Sequence, residues 1–207
     1  KTWDLAKLQA LADALIADRA PRDAAAVEEL FLLGTSMDGA RPKVVVEHEG
    51  ALWLAKFNRV DDRWNMARLE HATLLLARRC GLQTAESRVV TVGGRDVLLV
   101  RRFDRERTEE GYARARMVSA LTLLKTDETP DGRARWSYVI LAEMLRRVSE
   151  RPREDAHELF RRMVFNALIS NTDDHPRNHA AIAPGTGWRL SPAYDLSPTP
   201  SVSEDRR

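Results

Sequence analysis

Two polar clusters late in the chain, Asn171-Thr-Asp-Asp-His-Pro-Arg-Asn-His-Ala180 and Pro192-Ala-Tyr-Asp-Leu-Ser197, most constrain how it folds. They set a carboxylate (Asp173), a carboxamide (Asn178) and a second carboxylate (Asp195) in order, five and then seventeen positions apart. The longer interval holds a short hairpin, which would return Asp195 beside Asn178. The shorter one reads as an Asp/Asn-rich loop capping the helix before it.

Three chemistries compete for this loop. The step from Asp173 to Asn178 equals that from the base to the metal-binding Asn in the kinase pattern H-R-D-x-x-x-x-N, so Asp173 would orient a substrate hydroxyl while Asn178 and Asp195 hold magnesium against ATP phosphates. Asp174 is the poorer base, one residue short of that spacing. In a metallohydrolase, Asp173, Asp174, His175 and His179 would bind two metals, but the chain has five histidines in all and His48, His71 and His157 lack ligand-like neighbours. A plain capping loop is the third reading.

Composition narrows the class without choosing among these. With 207 residues, 43% hydrophobic and 31% charged, the chain can bury a core as one domain or two lobes. Cys80 is the only cysteine, which excludes a disulfide scaffold. No apolar run approaches the roughly 20 residues of a membrane span, and no signal-peptide pattern is seen, so a cytoplasmic protein without membrane contact is expected. A net charge of +2 does not imply nucleic-acid binding; the arginines at 101, 102, 105, 107, 114 and 116 are diluted by Glu106, Glu109 and Glu110 and read as a solvated face.

Leu5, Leu8, Leu11, Leu15 and Ile16 predict a leading helix that Pro21 ends. Two hairpins are predicted, from Val44–Val46 with Leu52–Phe57 around His48-Glu-Gly50, and from Val89–Val92 with Val97–Val100 around Gly93-Gly94. A helix from about Asp62 to Cys80, stopped by Gly81, separates them. After Phe103 the pattern turns helical: Met117–Leu124 as a buried helix face, then Tyr138–Val148 and Leu159–Ile169. The tryptophans at 53, 64, 136 and 188 read as core or packing residues. The expected fold is α+β and two-lobed: a sheet-containing N-lobe over 1–103 and a helical C-lobe over 104–207.

In the first lobe Lys56 lies on a strand fit for burial, where an ammonium needs a carboxylate or phosphate nearby, and Glu70 on the next helix can supply one. A strand lysine paired with a helix glutamate is how kinases hold ATP phosphates. Taken alone, Lys56 also fits an edge-strand lysine that snorkels to solvent. Gly34-Thr-Ser-Met-Asp-Gly-Ala-Arg-Pro-Lys43 offers small residues, Ser36, Gly39 and Ala40 among them, that let backbone approach a phosphate, with Lys43 adding charge. A simple connecting turn explains it equally well.

These blocks together resemble the HipA family of serine/threonine toxin kinases from bacterial toxin–antitoxin modules. The carriers are Ser36–Lys43, Leu54-Ala-Lys-Phe57, Glu70, Arg102-Phe-Asp-Arg105, Ser119–Leu124, Asn171–Asn178 and Pro192–Asp195. The resemblance implies a kinase-like fold with ATP and Mg2+ in a cleft between its lobes. It implies that Asp173 is catalytic, that Asn178 and Asp195 bind the metal and that Lys56 holds the nucleotide. Lys43 falls in the phosphate loop, Arg101 and Phe103 at the adenine-side hinge and His175 at a further nucleotide contact. Ser36 matches a loop serine that such kinases phosphorylate on themselves, a charge change that would expel the loop from a phosphate site. It further implies a protein substrate, an aminoacyl-tRNA synthetase among those of the family, and a helix-turn-helix antitoxin through which DNA is met only indirectly. Helices follow the Tyr-Asp motif in the family, so the C-lobe is expected to be short at its C-terminal end. A small-molecule phosphotransferase of the aminoglycoside type, and an inactive antitoxin-binding module that co-represses its operon, are the alternatives.

Overall fold

A computed structural model describes residues 41, 43–59 and 61–199. The expected leading helix and the residues Ser36, Gly39 and Ala40 lie outside these. The chain divides into two compact units. One holds the described residues up to Ala72 with Glu86–Arg102; the other holds Thr73–Ala85 with the described residues from Phe103 on. Against a single cut near Arg101–Asp104, this division gives Thr73–Ala85 to the second unit.

The first unit is built on two hairpins, β1 (Lys43–His48) with β2 (Ala51–Phe57) and β3 (Ser87–Val92) with β4 (Arg95–Arg101). They join as one antiparallel sheet in the order β1-β2-β4-β3. Both turns use two consecutive left-handed residues, Glu49 and Gly50 (φ 50° and 72°) and Gly93 and Gly94 (φ 56° and 79°). That backbone twist matches the strands it joins, and Glu49 alone adopts it with a side chain. Alternation sends Val44, Val46, Trp53, Ala55, Phe57, Val97 and Leu99 into one core. Trp53 is wholly buried there, whereas Trp64 is half exposed and does not pack as the sequence suggests.

Helix α1 (Met66–Arg79) starts four residues later than the expected Asp62. Asp62 is committed to a turn: its carboxylate accepts from the Arg59 backbone at 2.7 Å and from both ends of the Arg41 guanidinium at 2.5 and 2.8 Å. Asn65 caps the helix instead, its side-chain oxygen accepting from Arg68 N–H at 3.1 Å. Gly81 (φ 82°) ends it, with Leu82 N–H returning to the Ala77 carbonyl at 3.0 Å.

The second unit holds helices α2 (Ala120–Leu123), α3 (Pro130–Arg133), α4 (Tyr138–Val148) and α5 (Pro152–Leu168). It is less helical than its sequence suggests. Strands β5 (Arg105–Thr108) and β6 (Gly111–Arg114) pair as a hairpin, and β7 (Arg116–Ser119), β8 (Ala180–Ala183) and β9 (Arg189–Leu190) form a second sheet. Met117–Leu124 is therefore not one buried helix: Met117 is exposed on β7, and only Ala120–Leu123 is helical, capped by Ser119. The reason is non-local. Met117 and Val118 pair with Ile182 and Ala181, more than sixty residues away, and Met-Val-Ser suits a strand once that partner exists.

Helix α5 corrects the reading more sharply. Phe160, Val164 and Leu168, spaced for one helix face, are 61%, 38% and 68% exposed, while Glu158, Arg162 and Asn166 are buried. Leu159 and Phe165 supply its apolar contacts, to Leu141, Leu145 and Leu190 in one cluster and to Leu74, Leu82 and Leu196 in another. Among the described residues no helix is long and apolar enough to cross a membrane.

Asp155 staples α5 to β9, accepting from Leu190 N–H at 2.8 Å, Ser149 Oγ at 2.6 Å and Arg189 at 3.2 Å. Asp155→Ala should cost roughly 2–3 kcal/mol in urea unfolding, because it orphans a buried backbone N–H as well as losing charge-assisted bonds. In the first unit Arg68, Thr91 and Asn65 hold the Asp96 carboxyl below its ordinary 3.8, at about 2. Its folded pKa is depressed, so its stabilisation is complete above about pH 4 and fades as pH falls towards 2. Arg68 is largely exposed, so salt should weaken the effect. Asp96→Asn should flatten the unfolding midpoint over that window, read by circular dichroism from pH 5 to 2.

Candidate active site

On the first unit's sheet Lys56 faces away from the Trp53–Ala55–Phe57 core, because alternate residues of β2 point to opposite sides. Its Nζ donates to both Glu70 oxygens, at 2.7 and 3.0 Å, with the two side chains 13% and 10% exposed. The ammonium is thus held on a carboxylate and does not snorkel to water. Lys43 is its register partner across β1, so two lysines share one face of the sheet. Like charges directly opposite are unfavourable unless an anion compensates them. The Arg41–Asp62 fork ties the Arg41 side chain, two residues before Lys43, to the turn that precedes α1.

Arg101 extends to Glu86 at 3.1 Å on the surface, and Glu86 also takes Arg88 at 3.1 Å. The backbone N–H groups of Arg101 and Arg102 are used by the Glu86 and Leu52 carbonyls, both at 2.8 Å. In the second unit Phe103 packs its ring 5.8 Å from that of Tyr194.

The loop from Asn171 to His179 leaves α5 through Ser170 (φ 57°) and contains one 3-10 turn, Pro176–Asn178. Asp173 is exposed, and its carboxylate has no partner among the described residues. Asn178 is buried, its side-chain nitrogen donating to the Asp173 carbonyl at 3.0 Å. This bond uses the nitrogen of the carboxamide, whose oxygen is an acceptor. Asp174 is the structural member of the pair: it accepts from Tyr138 Oη and from His179 Nε2, the latter at 2.9 Å. His175 sits edge-on to Trp136, and its buried Nδ1 finds no partner among the described residues.

Strands β8 and β9 form the hairpin that the spacing predicts, pairing Ala181 with Leu190. The returning chain is tied to the loop at three points. Tyr194 Oη donates to the Arg177 carbonyl at 2.8 Å, Thr199 N–H to the Ser170 carbonyl at 3.0 Å, and the Thr172 and Thr199 hydroxyls meet at 2.6 Å. Tyr194 and Arg177 immediately precede Asp195 and Asn178, so the two metal-ligand candidates lie on neighbouring strands of chain. Asp195 itself is half-buried and left-handed, φ 57°, a conformation that Asp adopts more readily than most residues.

Burial raises the Asp174 carboxyl, but the His179 hydrogen bond and charge, with Tyr138 and Asn166, outweigh it and hold the group below its ordinary value. Burial raises the Tyr138 phenol, and the Asp174 charge raises it further. The pair is an anion with a firmly protonated donor. Among the described residues no three or more His, Cys, Asp or Glu cluster to hold a metal. The carboxamide oxygen of Asn178 and the carboxylate of Asp195 are hard donors that suit Mg2+, an ion that keeps several waters and takes few protein ligands. Sequence reasoning missed Tyr138, Asn166 and Asn171. Its one available signal was that Asp174 and His179 repeat, one residue later, the spacing of Asp173 and Asn178.

The family model described as HipA-like C-terminal domain matches residues 35–206. Y4mE of Sinorhizobium fredii, named as a kinase, is 30% identical over 139 residues, 63% of this chain and 32% of that protein. A Haemophilus influenzae protein also named as a kinase is 26% identical over 148 residues, 66% of this chain and 43% of its own length. A chain of the Shewanella oneidensis MR-1 complex of HipA, HipB and its operator DNA has a TM-score of 0.64 at 21% identity, covering 78% of this chain and 43% of that one. The Helicobacter pylori proinflammatory kinase CtkA gives 0.59 at 16% identity, with 75% and 54% covered. Likeness at those identities shows a shared fold. The chain spans about a third to two fifths of the length of the curated relatives it matches.

Removing Glu70 would take both carboxylate bonds from Lys56 in its nearly buried position. Glu70→Ala is expected to cost roughly 3 kcal/mol, and the double change Lys56→Met with Glu70→Leu to regain most of it, since a buried pair stabilises little over an apolar replacement. Paired urea titrations of the three variants measure both.

Proposed function

Because the chain belongs to the family of HipA-like C-terminal domains, we propose that it acts as a serine/threonine protein kinase, passing the γ-phosphoryl group of Mg-ATP to a protein hydroxyl. The observation that carries this reading is the Lys56–Glu70 pair, a strand lysine gripped by both oxygens of a helix glutamate. A fold gains little stability from such a nearly buried ion pair. A phosphate-binding site gains a cation held at a fixed place.

In this reading residues 1–103 form the nucleotide-holding lobe and 104–207 the lobe with the catalytic loop. Lys56 and Lys43 stabilise phosphate charge, and Gly39, Ala40 and backbone near Arg101 and Phe103 line the nucleotide, with His175 as a further contact. Asn178 and Asp195 hold Mg2+, which supplies charge neutralisation to the phosphates. Asp173 is exposed and has no partner among the described residues, which suits a group that meets substrate. Its carboxylate orients the hydroxyl and takes its proton. The oxygen–phosphorus bond to the substrate forms as the bond to the ADP oxygen breaks.

The same reading makes the protein a cytoplasmic toxin of a toxin–antitoxin module. The Shewanella structure holds HipA with HipB and operator DNA, and by that likeness a helix-turn-helix antitoxin is the partner proposed here, with DNA met through it. Ser36 is the proposed site of self-phosphorylation, and the aminoacyl-tRNA synthetases are the proposed substrate class.

Incubation with Mg-ATP should add one phosphate to the peptide carrying Ser36, read by mass spectrometry. Asp173→Asn should lower that rate by about 10²–10⁴-fold and leave ATP affinity within a few-fold. A fully active Asp173→Asn protein would remove the role given to Asp173, and a wild-type protein that neither binds nor uses Mg-ATP would remove the kinase reading.

A further inference from the structure

We infer that Asp174, His179 and Tyr138 form a clasp that sets the spacing of the catalytic carboxylate and the metal-binding carboxamide, making Tyr138 and Asp174 positioning residues for phosphoryl transfer. The inference rests on the roles proposed above for Asp173 and Asn178. Asp174 follows Asp173 and His179 follows Asn178, so the 2.9 Å bond of Asp174 to His179 Nε2 closes the loop at the two neighbours of the reacting positions. Inside that closure Asn178 N–H donates to the His175 carbonyl at 2.9 Å and its side chain to the Asp173 carbonyl at 3.0 Å.

The clasp is fastened to two helices. Tyr138, the first residue of α4, donates to the second Asp174 oxygen, lies 3.2 Å from His179 Nε2 and sets its ring edge-on to the imidazole at 5.3 Å. From α5, Asn166 donates to Tyr138 Oη at 3.4 Å and accepts from Asn171 Nδ2 at 3.2 Å, at the point where the loop begins. His179, Asn166 and Asn171 are all buried. The carboxylate accepts, so Nε2 carries the proton, and the buried Nδ1 has no partner among the described residues. One ring nitrogen serves the clasp and the other serves nothing that is described, as expected of a group placed for one bond.

This loop has little regular structure to stiffen it, and an irregular loop left free would spread Asp173 over many positions. Displacement of a reacting group by about 1 Å can cost about 10²-fold in rate. Asp174→Ala is therefore expected to lower kcat with Mg-ATP by about 10²-fold, with KM for ATP nearly unchanged and a lower melting temperature, because Tyr138 Oη and His179 Nε2 lose a buried acceptor. Asp174→Asn, which keeps one acceptor for His179 and a donor for Tyr138 Oη, should recover most of the rate. Tyr138→Phe removes a single hydroxyl and leaves the Asp174–His179 bond, so it tests the clasp even if Asp174→Ala fails to fold; a smaller loss of kcat is expected. Amide hydrogen exchange read over peptide 171–180 should quicken in both variants while α5 keeps its protection.

Unchanged kcat in Tyr138→Phe and Asp174→Ala would overturn the inference, as would KM for ATP rising in step with the fall in kcat. A wild-type protein that transfers no phosphate would instead defeat the kinase reading. Loop exchange would still judge the clasp in that case, and exchange unaltered by Tyr138→Phe would defeat it too.

Discussion

The second unit depends on one buried cation. Arg162 is 1% exposed, and its guanidinium donates to the Ser191 carbonyl at 2.7 Å, to Gln83 O at 3.4 Å and to Glu158 at 3.0 Å. Glu158 in turn accepts from Gln83 N–H at 3.0 Å, so one helical pair reads both backbone groups of Gln83. Burial pushes the guanidinium below its ordinary value, and the Glu158 charge opposes that shift. Taking such an ion out of water costs several kcal/mol, which only a fixed set of acceptors can offset. Those acceptors lie on the segment after α1 and on the strand that leads to Asp195. Gln83 also takes Ala193 N–H at 2.8 Å, two residues before that aspartate. Position, more than net stability, is what this arrangement gives.

The same constraint explains the inverted face of α5. A helix normally buries its apolar stripe because burial of each large side chain contributes about 1.5–3 kcal/mol. Here Glu158, Arg162 and Asn166 form a polar stripe at intervals of four that is buried in its place, joined by Asp155 one turn earlier. Each has a backbone group or a side chain of the 171–179 loop to satisfy. The loop 171–179, β9 and the chain from 81 to 85 carry polar groups that no regular ladder pairs, and this stripe pairs them.

Much of the first unit could be read from residue order, because its signals are local. Gly93-Gly94 and Glu49-Gly50 force left-handed turns, and the strands beside them alternate. Gly81 stops α1 where expected. Asp62 did not start that helix, since Arg41, twenty-one residues earlier, had taken its carboxylate. In the second unit α4 follows its pattern, with Ser137 as cap, but β7 needed β8 before it could be a strand at all. The candidate site divides along the same line. The spacing of Asp173, Asn178 and Asp195 and the lysine on β2 can be read from residue order alone. Tyr138 and Asn166 cannot, because a tyrosine at a helix start and an asparagine in mid-helix suit many structures until the third dimension aligns them.

Asp173 and Asp174 show how environment assigns roles to identical side chains. Both are carboxylates on adjacent residues of one loop, and either could be drawn as the base. Asp174 has both oxygens engaged by buried donors and its charge stabilised below the ordinary range, so a proton gained from a hydroxyl would have to displace Tyr138 or His179. Asp173 stands in solvent with its lone pairs unclaimed among the described residues. A reactive carboxylate must exchange partners during a turnover, and a structural one must not. On the role proposed for Asp173, placing the two side by side gives the first the rigidity of the second without its bonds. The spacing argument, which favours Asp173 on residue count, and the hydrogen-bond argument, which disqualifies Asp174 on occupancy, are independent and point the same way.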